Sequence, residues 1–130
     1  MIDYIPQLIE SGITSLKIEG RAKSAYYAAV TTHAYRSVVD LYYKDKQGYT
    51  LPAWIGEEIN KISHREYSTG FFLGKEPGQV HSNGGYIREY DVVAICDSWE
   101  NGTAYLTQKN KFSVGEQLDV LPPMGESFTI

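Results

Sequence analysis

The stretch Ser15-Leu16-Lys17-Ile18-Glu19-Gly20-Arg21-Ala22-Lys23-Ser24-Ala25-Tyr26-Tyr27 decides how this chain is read. Its first half alternates: Leu16 and Ile18 fall on one side of an extended segment, Lys17 and Glu19 on the other. From Ser24 the period changes. Tyr26, Val30, Ala34, Val38 and Leu41 recur every three or four residues, which predicts a long amphipathic helix from Ser24 to about Tyr43. Ahead of the strand, Ile2, Ile5, Leu8 and Ile9 predict a helix over Ile2 to Ser11, with Pro6 tolerable in its first turn and Gly12 as its stop. Helix, strand, helix in this order is the product of an α/β barrel or doubly wound sheet. A single strand cannot build a parallel sheet, so the first 50 residues read as the last unit of a larger barrel.

Beyond this unit a polar connector, Lys44 to Thr50, leads through Pro52 to a helix over about Ala53 to Ser63. After Arg65 turn residues multiply, and short β-prone runs stand between them: Gly70 to Leu73, Tyr86 to Cys96, Thr103 to Thr107, Gln117 to Leu121 and Ser127 to Ile130. Asn101-Gly102 is a strong hairpin signal. The expected class is α+β: a helix–strand–helix remnant of an α/β barrel (1–50), a helical linker (51–75), then a small antiparallel β-barrel-like domain (76–130), cut short at its end.

Composition bounds the chemistry. The chain has 130 residues, 42% of them hydrophobic and 13% aromatic, with eleven tyrosines. That supplies a core and excludes general disorder. A formal charge of −4 argues against a chain that grips nucleic acid by bulk electrostatics alone, while leaving room for a local basic patch. One cysteine, Cys96, excludes an internal disulfide and a cysteine-based metal site within the chain, and it reads as an inert core thiol. No apolar run reaches the roughly 20 residues of a membrane helix, and the N-terminus has no signal-peptide pattern. A cytoplasmic location is expected.

The candidate sites follow from position. Lys17, Glu19 and Arg21 lie at the carboxyl end of the predicted strand, where barrel enzymes place their active sites. They could bind a carboxylate or phosphate, Glu19 orienting the cations; the alternative is a solvated turn with an ordinary ion pair. His64 and Arg65, at the junction of the two parts, could contact substrate, or could form a hinge with Tyr67 and Phe71 packed in the core. Arg88, on one face with Tyr86 and Tyr90, could stack on a base, though such ladders more often pack across strands. Lys109 and Lys111 form a basic-aromatic turn with Phe112, a plausible phosphate contact or an ordinary loop. His33 reads as a packing residue within the long helix, His81 as an exposed loop residue, and the histidine spacings match no metal site. Neither a nucleophile–base pair nor a phosphate-binding glycine loop is present.

The opening stretch also resembles the C-terminal part of the collagenase-like peptidases, family U32. The resemblance extends, in the same order, through Ser63-His64-Arg65 with Thr69-Gly70-Phe71, Gly85-Tyr86-Ile87-Arg88-Glu89-Tyr90-Asp91, and Asn110-Lys111-Phe112-Ser113-Val114-Gly115-Glu116. It implies a barrel-type catalytic domain followed by a small β-barrel like those of translation factors. Some relatives bear the protease name and others hydroxylate RNA; the pattern is most similar to the branch associated with prephenate-dependent hydroxylation of a tRNA wobble uridine. In that family the cysteines expected to hold an iron–sulfur cluster lie upstream and have no counterpart here, so the resemblance implies cluster and prephenate for a parent enzyme and no cofactor for this chain. The implied partners are tRNA and an N-terminal catalytic domain, with a homodimer through an exposed strand edge as a further expectation. Two rival readings remain: part of a true protease, and a non-catalytic RNA- or protein-binding module.

Overall fold

A computed structural model describes residues 1–74 and 85–130; His81 lies outside them. Three helices pack together and two small antiparallel sheets follow, as the mixed α and β reading expects. A 3-10 turn, Ile2–Tyr4, runs into α1, Ile5–Glu10. Pro6 sits in the first turn of α1, where a missing N–H costs no hydrogen bond. The helix stops at Gly12, whose φ of +85° suits the left-handed position that ends helices, and the Gly12 N–H donates back to Ile9 O at 3.0 Å.

The long helix α2, Ala25–Lys44, starts where Ser24 Oγ accepts the Tyr27 N–H at 3.1 Å. Its buried stripe is Val30, Thr31, Ala34, Val38 and Tyr42. α3, Ala53–Lys61, starts after Pro52 and buries Ile55. Ile5 and Leu8 of α1, Ala34 and Val38 of α2, and Ile55 of α3 form the core. Burying such side chains contributes about 1.5–3 kcal/mol each. Glu10 closes the α1–α2 pair, accepting from Tyr42 Oη at 2.9 Å and Lys46 Nζ at 2.8 Å.

β1, Ala94–Glu100, pairs antiparallel with β2, Thr103–Gln108, across the Asn101-Gly102 turn. Both turn residues have positive φ, 50° and 80°, the requirement of a type I′ hairpin. A bulge interrupts the ladder between Cys96 and Ser98. β3, Asp119–Val120, pairs with β4, Phe128–Thr129, in a second sheet extended by reciprocal backbone bonds between Leu118 and Ile130.

The structure corrects several expectations. The antiparallel class holds, but 'barrel-like' fits it only loosely: among the described residues no barrel closes, and the sheets have two strands each. Residues 13–20 form no strand, and Ile13, Leu16 and Ile18 are exposed by 46, 41 and 36%. Alternation marks a segment able to pair, but pairing needs a neighbour, and among the described residues none lies beside it. Gly70 to Leu73 is a turn, bounded by Gly70 and Gly74 at positive φ, instead of a strand. Of the Tyr86 to Cys96 run, only Ile87 makes an isolated bridge, to His64, before β1 begins at Ala94. Cys96 is exposed on the hairpin, where no layer covers it, and Tyr67 and Phe71 are exposed by 51 and 73%.

One polar clasp fastens the last strands to the helices. Lys61 Nζ lies 3.2 Å from Glu58, 2.8 Å from Asp119 and 3.1 Å from Ser127 Oγ. Ser127 Oγ in turn donates to Glu58, and Thr129 Oγ1 donates to Asp119 at 2.8 Å. His33, in α2, reaches the carbonyl of Gly125 at 2.8 Å and packs beside Trp54, so it is a satisfied packing residue.

Hydrogen bonds from Lys61, then Thr129, hold the Asp119 carboxyl below its ordinary 3.8. A carboxylate depressed on folding contributes stability that is complete above the unfolded value and lost as pH falls through the folded one. The urea midpoint is therefore expected to drop as pH is lowered below about 4, and Asp119→Asn to flatten part of that acid limb. An identical limb in the variant would show that the clasp does not couple to protons.

Candidate functional site

The strand-end loop is open to solvent. Lys17 Nζ and Glu19 Oε2 are 3.8 Å apart with side chains 86 and 68% exposed, a geometry worth under about 1 kcal/mol. Glu19 Oε1 also accepts the backbone N–H of Arg21 at 2.8 Å, so the carboxylate shapes the turn as well as facing the cation. Arg21 is exposed, and no described carboxylate pairs with its guanidinium. The loop tightens at Lys23, whose N–H donates to Gly20 O at 2.9 Å.

At the junction, His64 is 9% exposed and donates from Nδ1 to Ile62 O at 2.7 Å. Its ring stacks on Tyr67 at 4.4 Å with an interplanar angle of 4°. Tyr67 turns its hydroxyl onto Ile59 O at 2.9 Å, and burial of that end pushes the phenol up to about 12. His64 also exchanges both backbone bonds with Ile87, at 3.2 and 2.8 Å. It is thus fixed between α3 and the C-terminal segment, and its neighbour Arg65 is exposed.

Arg65 meets two residues from elsewhere. Its Cζ lies 5.2 Å from the centre of the Tyr86 ring, and Lys23 Nζ lies 4.1 Å from the same centre and 5.4 Å from that of Tyr27. The polar contact from Lys23, then the charges of Lys23 and Arg65, lower the Tyr86 pKa from its ordinary value. Position in the chain singles out Arg65 but does not join Lys23 and Tyr86 to it. Their separation in sequence gives no periodic signal; only the fold brings them to one spot.

The other basic candidates do not converge. Arg88 is engaged with Asp91, Nε donating at 3.0 Å, and no described bond or ion pair joins it to Lys109 or Lys111. Both lysines are exposed just past β2, on a turn pinned by Lys109 N–H to Val93 O (2.8 Å) and Asn110 Nδ2 to Val92 O (2.7 Å). A groove of about 520 Å³ lies over the clasp, lined by Trp54, Glu57, Glu89, Tyr90 and Glu126 among others. Its rim carries Glu57, Glu89 and Glu126, a lining that repels anions.

Among the described residues, no group of three or more His, Cys, Asp or Glu side chains could hold a metal ion. One exposed cysteine likewise does not fit the thiolate set of an iron–sulfur cluster. No helix of the described residues is long and apolar enough to cross a membrane.

Comparison with known proteins places this geometry in context. The model of Peptidase family U32 matches residues 1–82, and that of its C-terminal domain matches 88–130. The chain belongs to peptidase family U32. Among curated relatives, tRNA hydroxylation protein P1 of Bacillus subtilis is 35% identical over 99% of the chain and 32% of its own length. The tRNA hydroxylation protein P of Escherichia coli is 33% identical over 99% of the chain and 29% of its own length. An "uncharacterized protease" of Methanocaldococcus jannaschii is 45% identical over 56% of the chain and 17% of its own length. The chain spans about a third of the length of the first two relatives. No solved structure matches it. Within the U32 assignment, Lys17 to Lys23 and His64-Arg65 fall in the part matched by the first family model, and Arg88, Lys109 and Lys111 in the part matched by the second.

Proposed function

We propose that this U32 chain works as the substrate-positioning portion of a tRNA-hydroxylating enzyme. The observation that carries the reading is the match, along 99% of the chain, to two proteins named for tRNA hydroxylation. In such an enzyme residues 1–50 would complete a catalytic barrel whose other strands cover Ile13, Leu16 and Ile18, three apolar side chains now exposed. Residues 51–75 would link it to a β-rich unit, 76–130. Lys17, Arg21 and Arg65 would face an anionic cosubstrate, prephenate, or RNA phosphate at the barrel mouth, with Glu19 ordering the turn and His64 the hinge. Arg88, Lys109 and Lys111 would offer secondary phosphate contacts. An iron–sulfur cluster, if the reaction uses one, would be held by residues outside this sequence, and the work would be cytoplasmic. A homodimer through residues 13–20 is the alternative fate of that apolar segment.

The test is a chimera in which this chain replaces the matching third of the Bacillus subtilis protein. Hydroxylation of the tRNA wobble uridine, read by mass spectrometry of nucleosides from cells lacking the native gene, is expected to return to within about tenfold of the native level, a deficit of about 1.4 kcal/mol. A well-expressed chimera that leaves the uridine unmodified would overturn the reading. Proteolysis of gelatin by the same purified chimera would instead favour the protease named among its relatives.

A further inference from the structure

We propose that Lys23, Arg65 and Tyr86 form a single contact site for a phosphodiester of RNA. The proposal deepens the reading above and rests on it for the choice of RNA as the source of the phosphate. The three side chains come from the loop before α2, the junction after α3 and the start of the C-terminal segment, and they meet at one ring: Lys23 Nζ at 4.1 Å and Arg65 Cζ at 5.2 Å from its centre. Among the described residues, no salt bridge engages either cation, whereas Lys17, Arg36, Lys46, Lys61 and Arg88 each have a carboxylate partner. Two like charges held beside one phenol repel each other, and an anion placed between them converts that repulsion into two attractions.

The chemistry selects phosphate. Arg65 offers a planar fork of N–H donors matched to the two non-bridging oxygens of a phosphodiester, and Lys23 a compact charge that can share one of them. The Tyr86 ring is the contact that both cations share, and it is itself 55% exposed, so ligand can reach the site. In a chain of net charge −4 this locus differs in charge from the acidic groove at the Lys61 clasp. It therefore gives an RNA strand one preferred line of approach.

The experiment titrates the full chain with a fluorescent oligouridylate over a range of salt concentrations. Each phosphate contact on a single strand contributes about 0.7 to the slope of log affinity against log salt. Because both cations serve one phosphate, Lys23→Ala and Arg65→Ala are each expected to reduce the slope by part of that amount, and the pair by all of it, about 0.7. Lys23→Arg and Arg65→Lys, which keep the charge, should preserve the slope, and their far-ultraviolet circular dichroism should match that of the alanine variants. Tyr86→Phe should bind like the parent and Tyr86→Ala several-fold more weakly. Lys44→Ala, at the far end of α2, should change nothing. Inorganic phosphate as competitor separates a free-anion site from an RNA site: displacement of the oligonucleotide by millimolar phosphate would overturn the RNA assignment. Absence of binding by the parent chain, or slopes unchanged by both alanine variants, would overturn the proposal. A chimera that hydroxylates tRNA while these variants bind unchanged would reject this site and leave the functional reading standing. An inactive chimera with Lys23- and Arg65-dependent binding would do the reverse.

Discussion

Replacing Lys61 with alanine is expected to lower stability by about 3 kcal/mol, read as a shift of the urea midpoint. The reason lies in Glu58, whose side chain is 3% exposed and whose only described cation is Lys61 at 3.2 Å. Removing one partner of a buried pair leaves a charge that water cannot reach, and such losses run to about 3–5 kcal/mol. Glu58 would keep the Ser127 hydroxyl, and Asp119, at 31% exposure, would recover hydration, so the lower end of that range applies. Arg36→Ala provides the contrast. Its partner Asp40 is one helical turn away on an open surface, and the loss should be small beside that of Lys61→Ala. Removing both buried charges together, as Glu58→Gln with Lys61→Met, should cost less than Lys61→Ala alone, because no orphaned charge remains. Equal, small effects for Lys61→Ala and Arg36→Ala would mean that water enters the clasp.

Ile55→Ala is the second large effect, expected at about 3 kcal/mol within the usual 2–5 kcal/mol for this truncation. Ile55 is wholly buried where α3 meets α1 and α2, against the cluster of Ile5, Leu8, Ala34 and Val38. Helices held on both sides collapse poorly into the space of a missing side chain, so a cavity adds to the lost burial. Ile55→Val should cost about 0.5–1.5 kcal/mol. An unchanged denaturant slope would show that both variants alter stability and leave the extent of unfolding alone. A loss below 1 kcal/mol for the alanine variant would indicate that the three helices do not unfold as one unit.

The helical part was legible because its signals are local. Ser24 before an apolar stripe announced the start of α2, and Val30, Ala34 and Val38 announced its buried face. The same holds for Asn101-Gly102, where the turn chemistry dictates the hairpin whatever surrounds it. What failed depended on neighbours. The alternation of Leu16 to Glu19 says that the segment can pair, not that a partner stands beside it. Cys96 was read as core from its apolar surroundings in sequence, yet a two-stranded hairpin with no covering layer leaves it exposed. Gly70 to Leu73 looked β-prone from its aromatic and leucine content, and two glycines at positive φ made it a turn. At the candidate site, Arg65 and the Lys17–Arg21 loop were visible as positions, but the convergence of Lys23 and Arg65 on Tyr86 is a property of tertiary structure.

The tie between Ser127 and Glu58 spans 69 residues of chain. Closing so long a loop is entropically costly, and the reward comes only once α3 already presents Glu58 and Lys61 in place. The β3–β4 pair, two residues in each strand, is too small to hold itself together in water. The terminal strands are therefore expected to pair only with α3 in place, whereas the Asn101-Gly102 hairpin carries its own turn signal. Hydrogen exchange at Leu118 and Ile130 should therefore report on whether α3 has folded.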